Sequence, residues 1–199
     1  MKRAFDFIIS LIGIIILSPI ILIISIIIKL TSEGPIFFKQ RRVGKNNKEF
    51  SIYKFRTMRI DTPNVATHLL ENPEQYITAI GKFMRKTSLD ELPQLFNIIK
   101  GDMSIVGPRP ALYNQYDLIE MRTKVGVDTL VPGLTGWAQI NGRNSITWRE
   151  KFELDVWYVD NWSIWLDIKI FFLTFWKVIK REGINQSETV TMEYFNGTN

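Results

Sequence analysis

The chain has 199 residues, enough for one globular domain and an accessory segment, and its formal net charge of +5 favours anionic partners such as nucleotides, phosphorylated substrates or acidic lipid headgroups. It contains no cysteine, which excludes disulfide bonds, thiolate metal sites and cysteine nucleophiles. Its one histidine, His68, lies in a polar stretch and is interpreted as an exposed loop residue, so carboxylates, lysines and arginines must carry any chemistry.

The first predicted element is a long apolar segment from Phe7 to Ile28. As a straight helix it would be about 33 Å long, close to the roughly 30 Å thickness of a bilayer core. Ser18 and Pro19 lie near its middle. Because Pro19 cannot donate to the carbonyl of Ile15, we expect a kink there, with the Ser18 hydroxyl satisfying a freed backbone group.

Positive charges flank this segment on both sides, with Lys2 and Arg3 before it. The cations that follow it are Lys29, Lys39, Arg41, Arg42, Lys45 and Lys48. Such flanks disfavour moving either end across a membrane. A helix that enters one leaflet, bends at Ser18-Pro19 and returns would satisfy this pattern. The residues alone leave that re-entrant helix and a tilted span as equal alternatives.

Short strands and turns are predicted over residues 33–58, with turns at 34–35 and 44–47 and an alternating strand at 50–55. Lys54, Arg56 and Arg59 recur around this strand and are candidate phosphate ligands. The alternative interpretation is a solvated strand face. Residues 61–78 are polar and are interpreted as a mobile loop.

Residues 85–94 form the most informative stretch, because the cations Arg85 and Lys86 closely precede the adjacent carboxylates Asp90 and Glu91. A helix is predicted over 92–100, stopped by a glycine at 101. The acidic pair then falls at a helix start. There, either Ser88 and Glu91 form a capping box or Asp90 is itself the cap.

The same pair also has a chemical interpretation. A carboxylate near two cations and a helix N-terminus should stay ionised, and an ionised Asp90 can attack phosphorus to give an acyl phosphate. Glu91 would then accept a proton or bind a metal ion. Because two hard oxygen groups are present without cysteine or a suitable histidine, Asp90 and Glu91 indicate Mg²⁺ as the metal.

Two further segments offer cations in rigid turns. Arg109 lies between Pro108 and Pro110, which fix the backbone and present the guanidinium for phosphate recognition, unless it is only a surface arginine in a structural turn. Arg143 lies in a glycine-asparagine turn where a phosphate could also bind. Between and after them, helices are predicted over 112–124 and 145–158, the second with a Ser/Thr cap, and a stiff loop over 131–137.

The last predicted helix, Trp162 to Ile179, is rich in aromatic residues and carries basic side chains at its edges. This composition favours an amphipathic helix at a membrane interface, with an ordinary core helix as the alternative. The sequence contains neither a G-x-x-x-x-G-K-[ST] loop nor a G-x-G-x-x-G fingerprint, so the common nucleotide-binding folds are not indicated.

Together these motifs resemble the bacterial sugar transferase family, the small monotopic polyprenyl-phosphate phosphoglycosyl transferases. The matching segments are residues 35–44, 53–58, 87–97, 100–110 and 132–143. The resemblance implies an α+β fold that is mainly helical with short strands. It implies a re-entrant membrane helix over 1–30, a catalytic domain with interfacial amphipathic helices over 31–185, and a C-terminal tail over 186–199.

For function, the resemblance implies transfer of a sugar-1-phosphate from a UDP-sugar to undecaprenyl phosphate, with release of UMP. This would take place on the cytoplasmic face of the bacterial inner membrane, as the first membrane step of glycoprotein, capsule or O-antigen assembly. Mg²⁺ is the implied cofactor. The ending, residues 193–199, resembles that of diacetylbacillosamine-1-phosphate transferases, with another UDP-hexose or UDP-N-acetylhexosamine as the alternative donor.

The resemblance also assigns roles to residues. Asp90 matches the nucleophile that takes up the phosphosugar, and Glu91 matches the second acid, a base or metal contact. Arg85 and Arg109 match cations near the substrate phosphates, and Ser18-Pro19 matches the break in the re-entrant helix.

Two rival classes remain: a membrane-tethered adaptor whose basic face binds anionic lipid or nucleic acid, and a phosphodiester or pyrophosphate hydrolase using the same acids. The sugar transferase hypothesis, which is preferred, includes no nucleic-acid partner and leaves the oligomeric state open.

Overall fold

The computed structural model describes residues 1–63, 70, 72–142 and 146–180. Its helices are α1 (Lys2–Thr31), α2 (Ala79–Thr87), α3 (Gln94–Lys100), α4 (Tyr116–Lys124), α5 (Trp137–Asn141), α6 (Trp148–Asp160) and α7 (Ile164–Lys180). Its strands are β1 (Phe37–Val43), β2 (Glu49–Phe55), β3 (Ser104–Val106) and β4 (Gly133–Thr135). The predicted class, mainly helical with short strands, is confirmed. His68, Arg143 and the predicted tail lie outside the described residues.

Helix α1 runs without interruption through Pro19. The Ser18 hydroxyl donates to the carbonyl oxygen of Ile15 at 2.8 Å, the group that a residue other than proline at position 19 would bond. The predicted local compensation by Ser18 is therefore confirmed, while helical structure continues on both sides of the pair. By length and composition, α1 is the one helix in the described part of the chain that could cross a membrane.

Polar side chains fix the N-terminal end of α1 to the globular body. Arg3 donates to the carbonyl oxygens of Ile98 and Ile99 beside the end of α3. The Asp6 carboxylate accepts from the Ser104 hydroxyl at 2.8 Å and from the Ile105 amide at 3.1 Å. Because these partners lie on α3 and β3, the first turns of α1 are bound to the centre of the domain.

Apolar side chains fix the other end of α1 to the same body. Ile24 and Ile28 are buried in a cluster with Phe55 of β2 and Met84 of α2. The middle of α1 is open, and Ile15 and Ile16 are 64% and 68% exposed. Both ends of the apolar helix therefore contact one globular unit, and one face of the helix between them is exposed.

The main hydrophobic core brings together most of the remaining elements. Its buried members are Ile52, Ile98, Met103, Ile105, Val106, Ile140, Tyr158 and Ile170. Strands β3 and β4 pair in parallel at its centre, Ser104 opposite Gly133. A side chain at Gly133 would collide with the backbone of Gly107, so the close approach of the two segments requires glycine there.

The hairpin β1–β2 carries one wall of the candidate site. Its antiparallel register pairs Phe37 with Phe55 and Phe38 with Lys54. The fully buried Asn97 of α3 accepts from the Tyr53 amide at 2.9 Å and donates to the Ser51 carbonyl at 2.8 Å. This amide holds β2 against α3 and fixes the position of Lys54.

Several predicted boundaries shift. Gly101 ends α3 with a φ of 99°, as expected, but the helix begins at Gln94 rather than 92. Helix α4 begins at Tyr116, since residues 112–115 form a turn held by the Gln115 side chain, which accepts from the Leu112 amide. Thr147 and Glu150 form a complete capping box at the start of α6, which confirms the Ser/Thr cap. The stiff loop predicted over 131–137 is only partly a loop, because the short strand β4 lies within it.

Candidate active site

The acidic pair lies in a 3-10 turn, Leu89–Glu91, between α2 and α3. Ser88 precedes it with a φ of 57° and makes no side-chain capping bond. Both capping interpretations of the sequence are therefore wrong: Ser88 and Glu91 form no capping box, and Asp90 lies inside the turn rather than before a helix. The left-handed backbone at Ser88 ends α2 and redirects the chain, and a short turn separates the acids from α3.

Glu91 is held by two cations from different elements. The Nζ of Lys54 and the Nη2 of Arg109 each donate to its Oε1 at 2.7 Å, and the glutamate side chain is 21% exposed. Burial alone would raise its pKa, but the charges and hydrogen bonds of Arg109 and Lys54 outweigh it and hold the pKa of Glu91 well below its usual range. The surroundings of Glu91 thus favour its ionised form, which makes it a weak proton acceptor.

Asp90 has a different environment although it is adjacent in sequence. Within the described part of the chain its carboxylate makes no hydrogen bond or salt bridge, and the residue is half-buried. Burial raises the pKa of Asp90, as does the charge of Glu91, while the charges of Lys54, Arg85 and Arg109 oppose the rise. Desolvation therefore exceeds the effect of the neighbouring cations on the pKa of Asp90.

Three of the predicted phosphate ligands meet at this acidic pair. Lys54 and Arg109 bond Glu91 directly, and Arg85 of α2 lies close enough to Asp90 for their charges to interact. The Nε of Arg85 donates to the Thr57 hydroxyl at 3.0 Å, which orients its guanidinium. The fold thus surrounds one free carboxylate with three cations and a second, clamped carboxylate.

The structure places Arg56, which the sequence also predicts as a phosphate ligand, apart from this group. It is only 6% exposed, and its Nη2 donates to the Ser32 carbonyl at 2.9 Å and the Ser32 hydroxyl at 2.7 Å. Its Nη1 donates to the Glu33 carbonyl. Strand β2 ends at Phe55, so the alternation that puts Lys54 at the site does not continue, and Arg56 secures the end of α1 instead. Arg143 lies outside the described residues.

Comparison with known proteins identifies the family. A family model described as bacterial sugar transferase matches residues 1–181. The chain belongs to the bacterial sugar transferase family. It is 48% identical over 198 residues to "Uncharacterized sugar transferase EpsL" of Bacillus subtilis (strain 168), and this match covers all of the chain and 96% of that protein.

Two relatives have names that state an activity. "UDP-glucose:undecaprenyl-phosphate glucose-1-phosphate transferase" of Escherichia coli (strain K12) is 42% identical over 190 residues, or 89% of the chain and 40% of that protein. "Undecaprenyl-phosphate galactose phosphotransferase" of Salmonella typhimurium is 41% identical over 202 residues, or 92% of the chain and 41% of that protein. The chain therefore spans about two-fifths of the length of these two members of the sugar transferase family.

The donor atoms at the acidic pair fit the magnesium that the sequence predicts for this sugar transferase. Both cations bond Oε1 of Glu91, so its Oε2 and the Asp90 carboxylate carry no hydrogen bond within the described residues. Mg²⁺ typically takes one or two carboxylates and completes its shell with water and substrate phosphates. No cluster of three or more His, Asp or Glu side chains that could hold a metal ion occurs in the described ranges.

Sequence reasoning missed two arginines beside this site. Arg42 was treated only as a charge flanking the membrane segment, and Arg122 was not singled out. Their guanidinium groups donate to the carbonyl oxygens of Pro110 and Arg109. Because these partners are backbone carbonyl groups, which every residue has, no spacing or motif in the sequence could have indicated the contacts.

Proposed function

We propose that this protein is a phosphoglycosyl transferase that moves a sugar-1-phosphate from a UDP-sugar to undecaprenyl phosphate and releases UMP. The observation that carries the proposal is the contrast within the acidic pair. Asp90 is a carboxylate without hydrogen bonds in the described part of the chain, whereas the adjacent Glu91 is clamped by Lys54 and Arg109. The names of the E. coli and Salmonella relatives support the same reaction class.

In the first step, a carboxylate oxygen of Asp90 attacks the β-phosphorus of the UDP-sugar. The bond from that phosphorus to the oxygen bridging it to the UMP phosphate breaks, and UMP leaves with the bonding electron pair. The sugar phosphate stays on Asp90 as an acyl phosphate. Lys54, Arg85 and Arg109 surround the place where negative charge accumulates, so they would stabilise the transition state.

In the second step, a phosphate oxygen of undecaprenyl phosphate attacks the same phosphorus. The bond to Asp90 breaks, the carboxylate is regenerated, and the product is undecaprenyl-diphospho-sugar. A covalent intermediate lets one site serve a soluble donor and a lipid acceptor in turn. At neutral pH the acceptor phosphate is largely ionised, so this attack needs no strong protein base.

Glu91 serves better as a fixed negative charge than as a proton acceptor. The Arg109 and Lys54 charges, acting against burial, lower its pKa far below neutral, so it holds a proton only weakly. We propose that it sets the positions of these two cations and contributes its free oxygen to a metal ion. The two acids would thus differ in role because their surroundings move their pKa values apart.

We propose that Asp90 and Glu91 hold Mg²⁺ together with the donor phosphates. The bound metal would neutralise charge on the diphosphate and favour departure of UMP. Lys54, Arg85 and Arg109 would share this task from the protein side.

For the membrane, we propose that α1 is re-entrant, with both ends on the cytoplasmic face of the inner membrane. The support is that Arg3 and Asp6 at one end and Ile24 and Ile28 at the other contact the same globular body. A helix crossing the bilayer would separate its ends by the full membrane thickness, and one body could not bind both. The domain limits 1–30, 31–185 and 186–199 remain part of this proposal.

We also propose that α7 lies at the membrane interface. It buries Asp167 and Ile170 on one face. Its opposite face exposes Trp165, Phe172, Phe175 and Trp176, the first of them by 76%. Aromatic side chains with lysines near the helix end are typical of interfacial helices. This placement would hold the acidic pair at the depth of the lipid phosphate.

We propose diacetylbacillosamine as the sugar of the UDP-sugar donor, with another UDP-hexose or UDP-N-acetylhexosamine as the alternative. The sequence of the C-terminal end favours diacetylbacillosamine, while the names of relatives specify glucose and galactose. A panel of UDP-sugars tested for UMP release identifies the donor, and the accepted sugar assigns the glycoconjugate that the enzyme initiates.

The proposed function is tested with the purified full chain in lipid nanodiscs, UDP-sugar and Mg²⁺. Repeated turnovers that release UMP should require undecaprenyl phosphate, and Asp90→Asn should abolish them while its thermal unfolding stays cooperative. A hydrolase would release UMP continuously without the lipid, and an adaptor would release none. Undiminished turnover by Asp90→Asn would show that Asp90 is not the nucleophile.

A further inference from the structure

The loop that carries Arg109 has an unusual set of backbone partners. Pro108 and Pro110 have no N–H, so the loop cannot form a regular ladder of its own. Its carbonyl oxygens are nevertheless all occupied from 108 to 111. Gly133 N donates to the Pro108 carbonyl at 2.9 Å, and Val43 N donates to the Ala111 carbonyl at 3.0 Å.

The two central carbonyls of this loop are bound by arginine side chains. The Nη1 of Arg122, on α4, donates to the Arg109 carbonyl at 2.7 Å. The Nη1 of Arg42, on β1, donates to the Pro110 carbonyl at 3.1 Å. Hydrogen bonds from charged donors are stronger and more directional than neutral ones. The backbone on which the Arg109 side chain stands is therefore fixed from two sides.

Each of these arginines is itself held in place. The Nη2 of Arg122 binds Asp155 of α6, a carboxylate that is 4% exposed. The Nη2 of Arg42 donates to the Gln40 side-chain oxygen at 2.7 Å, and among the described residues no carboxylate pairs with Arg42. Burial lowers the pKa of Arg42 to about 9, and the nearby charges of Arg109 and Arg122 add to this effect.

Stability alone does not explain this arrangement. Burying Arg42 without a paired carboxylate is unfavourable, and an apolar side chain would fill the same volume at no such penalty. Its guanidinium also lies close enough to those of Arg109 and Arg122 for their charges to interact, and the Nη2 of Arg109 meets Glu91 at 2.7 Å. The arrangement instead fits a loop whose exact position is important for function. The positive charge around the loop would favour the binding of an anion at Arg109.

We propose that Arg42 and Arg122 are positioning residues, which hold the 108–110 backbone so that the Arg109 guanidinium points at the acidic pair and at the donor phosphate. They act through main-chain carbonyls and touch no substrate. Asp155 extends the arrangement by orienting Arg122. This inference rests on the proposed function, because Arg109 is assigned there to phosphate binding.

The test is a double-mutant cycle on kcat/KM for the donor, measured with the full chain in nanodiscs. Because displacement of a binding group by about 1 Å can reduce the rate about 100-fold, Arg122→Ala and Arg42→Ala should each lower kcat/KM by about 10- to 100-fold. Residues that act through Arg109 lose their effect without it, so in an Arg109→Ala background each should change kcat/KM by about two-fold or less. Arg149→Ala is the matched control, because Arg149 forms an exposed pair with Glu153 on α6 and should leave activity unchanged.

Two further measurements keep the test decisive. In the first, the same cycle is repeated in an Asp90→Asn background, which blocks turnover. The donor dissociation constant is measured there in place of kcat/KM, so the variants need no residual activity. If an alanine variant unfolds, Arg122→Lys or Arg42→Lys, which keeps the charge, takes its place. The donor dissociation constant of each lysine variant should lie between those of the wild type and the Arg109→Ala variant. Equal losses with and without Arg109, or wild-type values in the variants, would overturn the proposal. A wild-type protein without lipid-dependent UMP release would instead reject the proposed function.

Discussion

At the scale of residues, the adjacent acids Asp90 and Glu91 differ because of what surrounds them. Lys54 and Arg109 bond one oxygen of Glu91, and the described part of the chain gives Asp90 no hydrogen bond. The clamped acid fixes the cations, and the free acid keeps an unshared electron pair for phosphorus. Two carboxylates with neighbouring positions in the chain therefore suit two different tasks.

This contrast predicts opposite effects on stability. Glu91→Gln should lower the free energy of unfolding by about 1–3 kcal/mol, since two cations lose a charged acceptor. Asp90→Asn should leave it unchanged or raise it, because a half-buried charge without hydrogen bonds is removed. Denaturant unfolding of both variants in the same detergent measures the difference.

The pH dependence of that experiment has a defined sign. Because the folded-state pKa of Glu91 is depressed, its stabilisation is fully present above its unfolded pKa of about 4.3 and is lost as the pH falls through the folded value. The difference between wild type and Glu91→Gln should therefore be constant near neutrality and shrink in acid. A larger loss of stability in Asp90→Asn than in Glu91→Gln at pH 7 would contradict the assignment.

At the scale of elements, α1 is a long apolar helix whose two ends are bound to one domain by different forces. Arg3 and Asp6 provide hydrogen bonds at the start, and Ile24 and Ile28 provide apolar burial near the end. The Ser18 hydroxyl satisfies the carbonyl that Pro19 leaves free. The exposed middle of the helix is the part that would enter the lipid.

This arrangement predicts the accessibility of single cysteines, which is easy to measure because the chain has no native cysteine. Ala4→Cys and Lys48→Cys, both at exposed positions, should be shielded in intact cells from a thiol reagent that does not cross the inner membrane. Both should react fully once the cells are permeabilised, which is the control. Labelling of Ala4→Cys in intact cells would indicate a helix that crosses the bilayer.

At the scale of the whole molecule, the sequence predicts local elements better than the contacts between them. The apolar segment, the hairpin, Gly101 and the rigid Pro108–Pro110 turn were foreseen, because each depends on local chemistry. Strand β4 was missed, because a three-residue strand is defined by its partner β3 and leaves no periodic pattern. The separation of Arg56 from the acidic pair was not foreseen either, because a strand pattern does not show where the strand ends.

The same reasoning applies to the candidate site. Lys54, Arg85, Asp90, Glu91 and Arg109 could be predicted because their chemistry is visible in the sequence. The clamp on Glu91 and the support of Arg109 by Arg42 and Arg122 could not, since they join residues 13 to 68 positions apart through the fold. Their discovery required the arrangement of β1, β2, α4 and the 108–110 turn in space.

The most direct test of the whole account is to trap the enzyme with the UDP-sugar donor alone, quench it in acid and analyse its peptides by mass spectrometry. The account predicts one sugar phosphate on the peptide that contains Asp90, released when undecaprenyl phosphate is added before the quench and never formed in Asp90→Asn. Lipid-dependent turnover by an enzyme that never carries this adduct would contradict it, because donor and acceptor would then react directly.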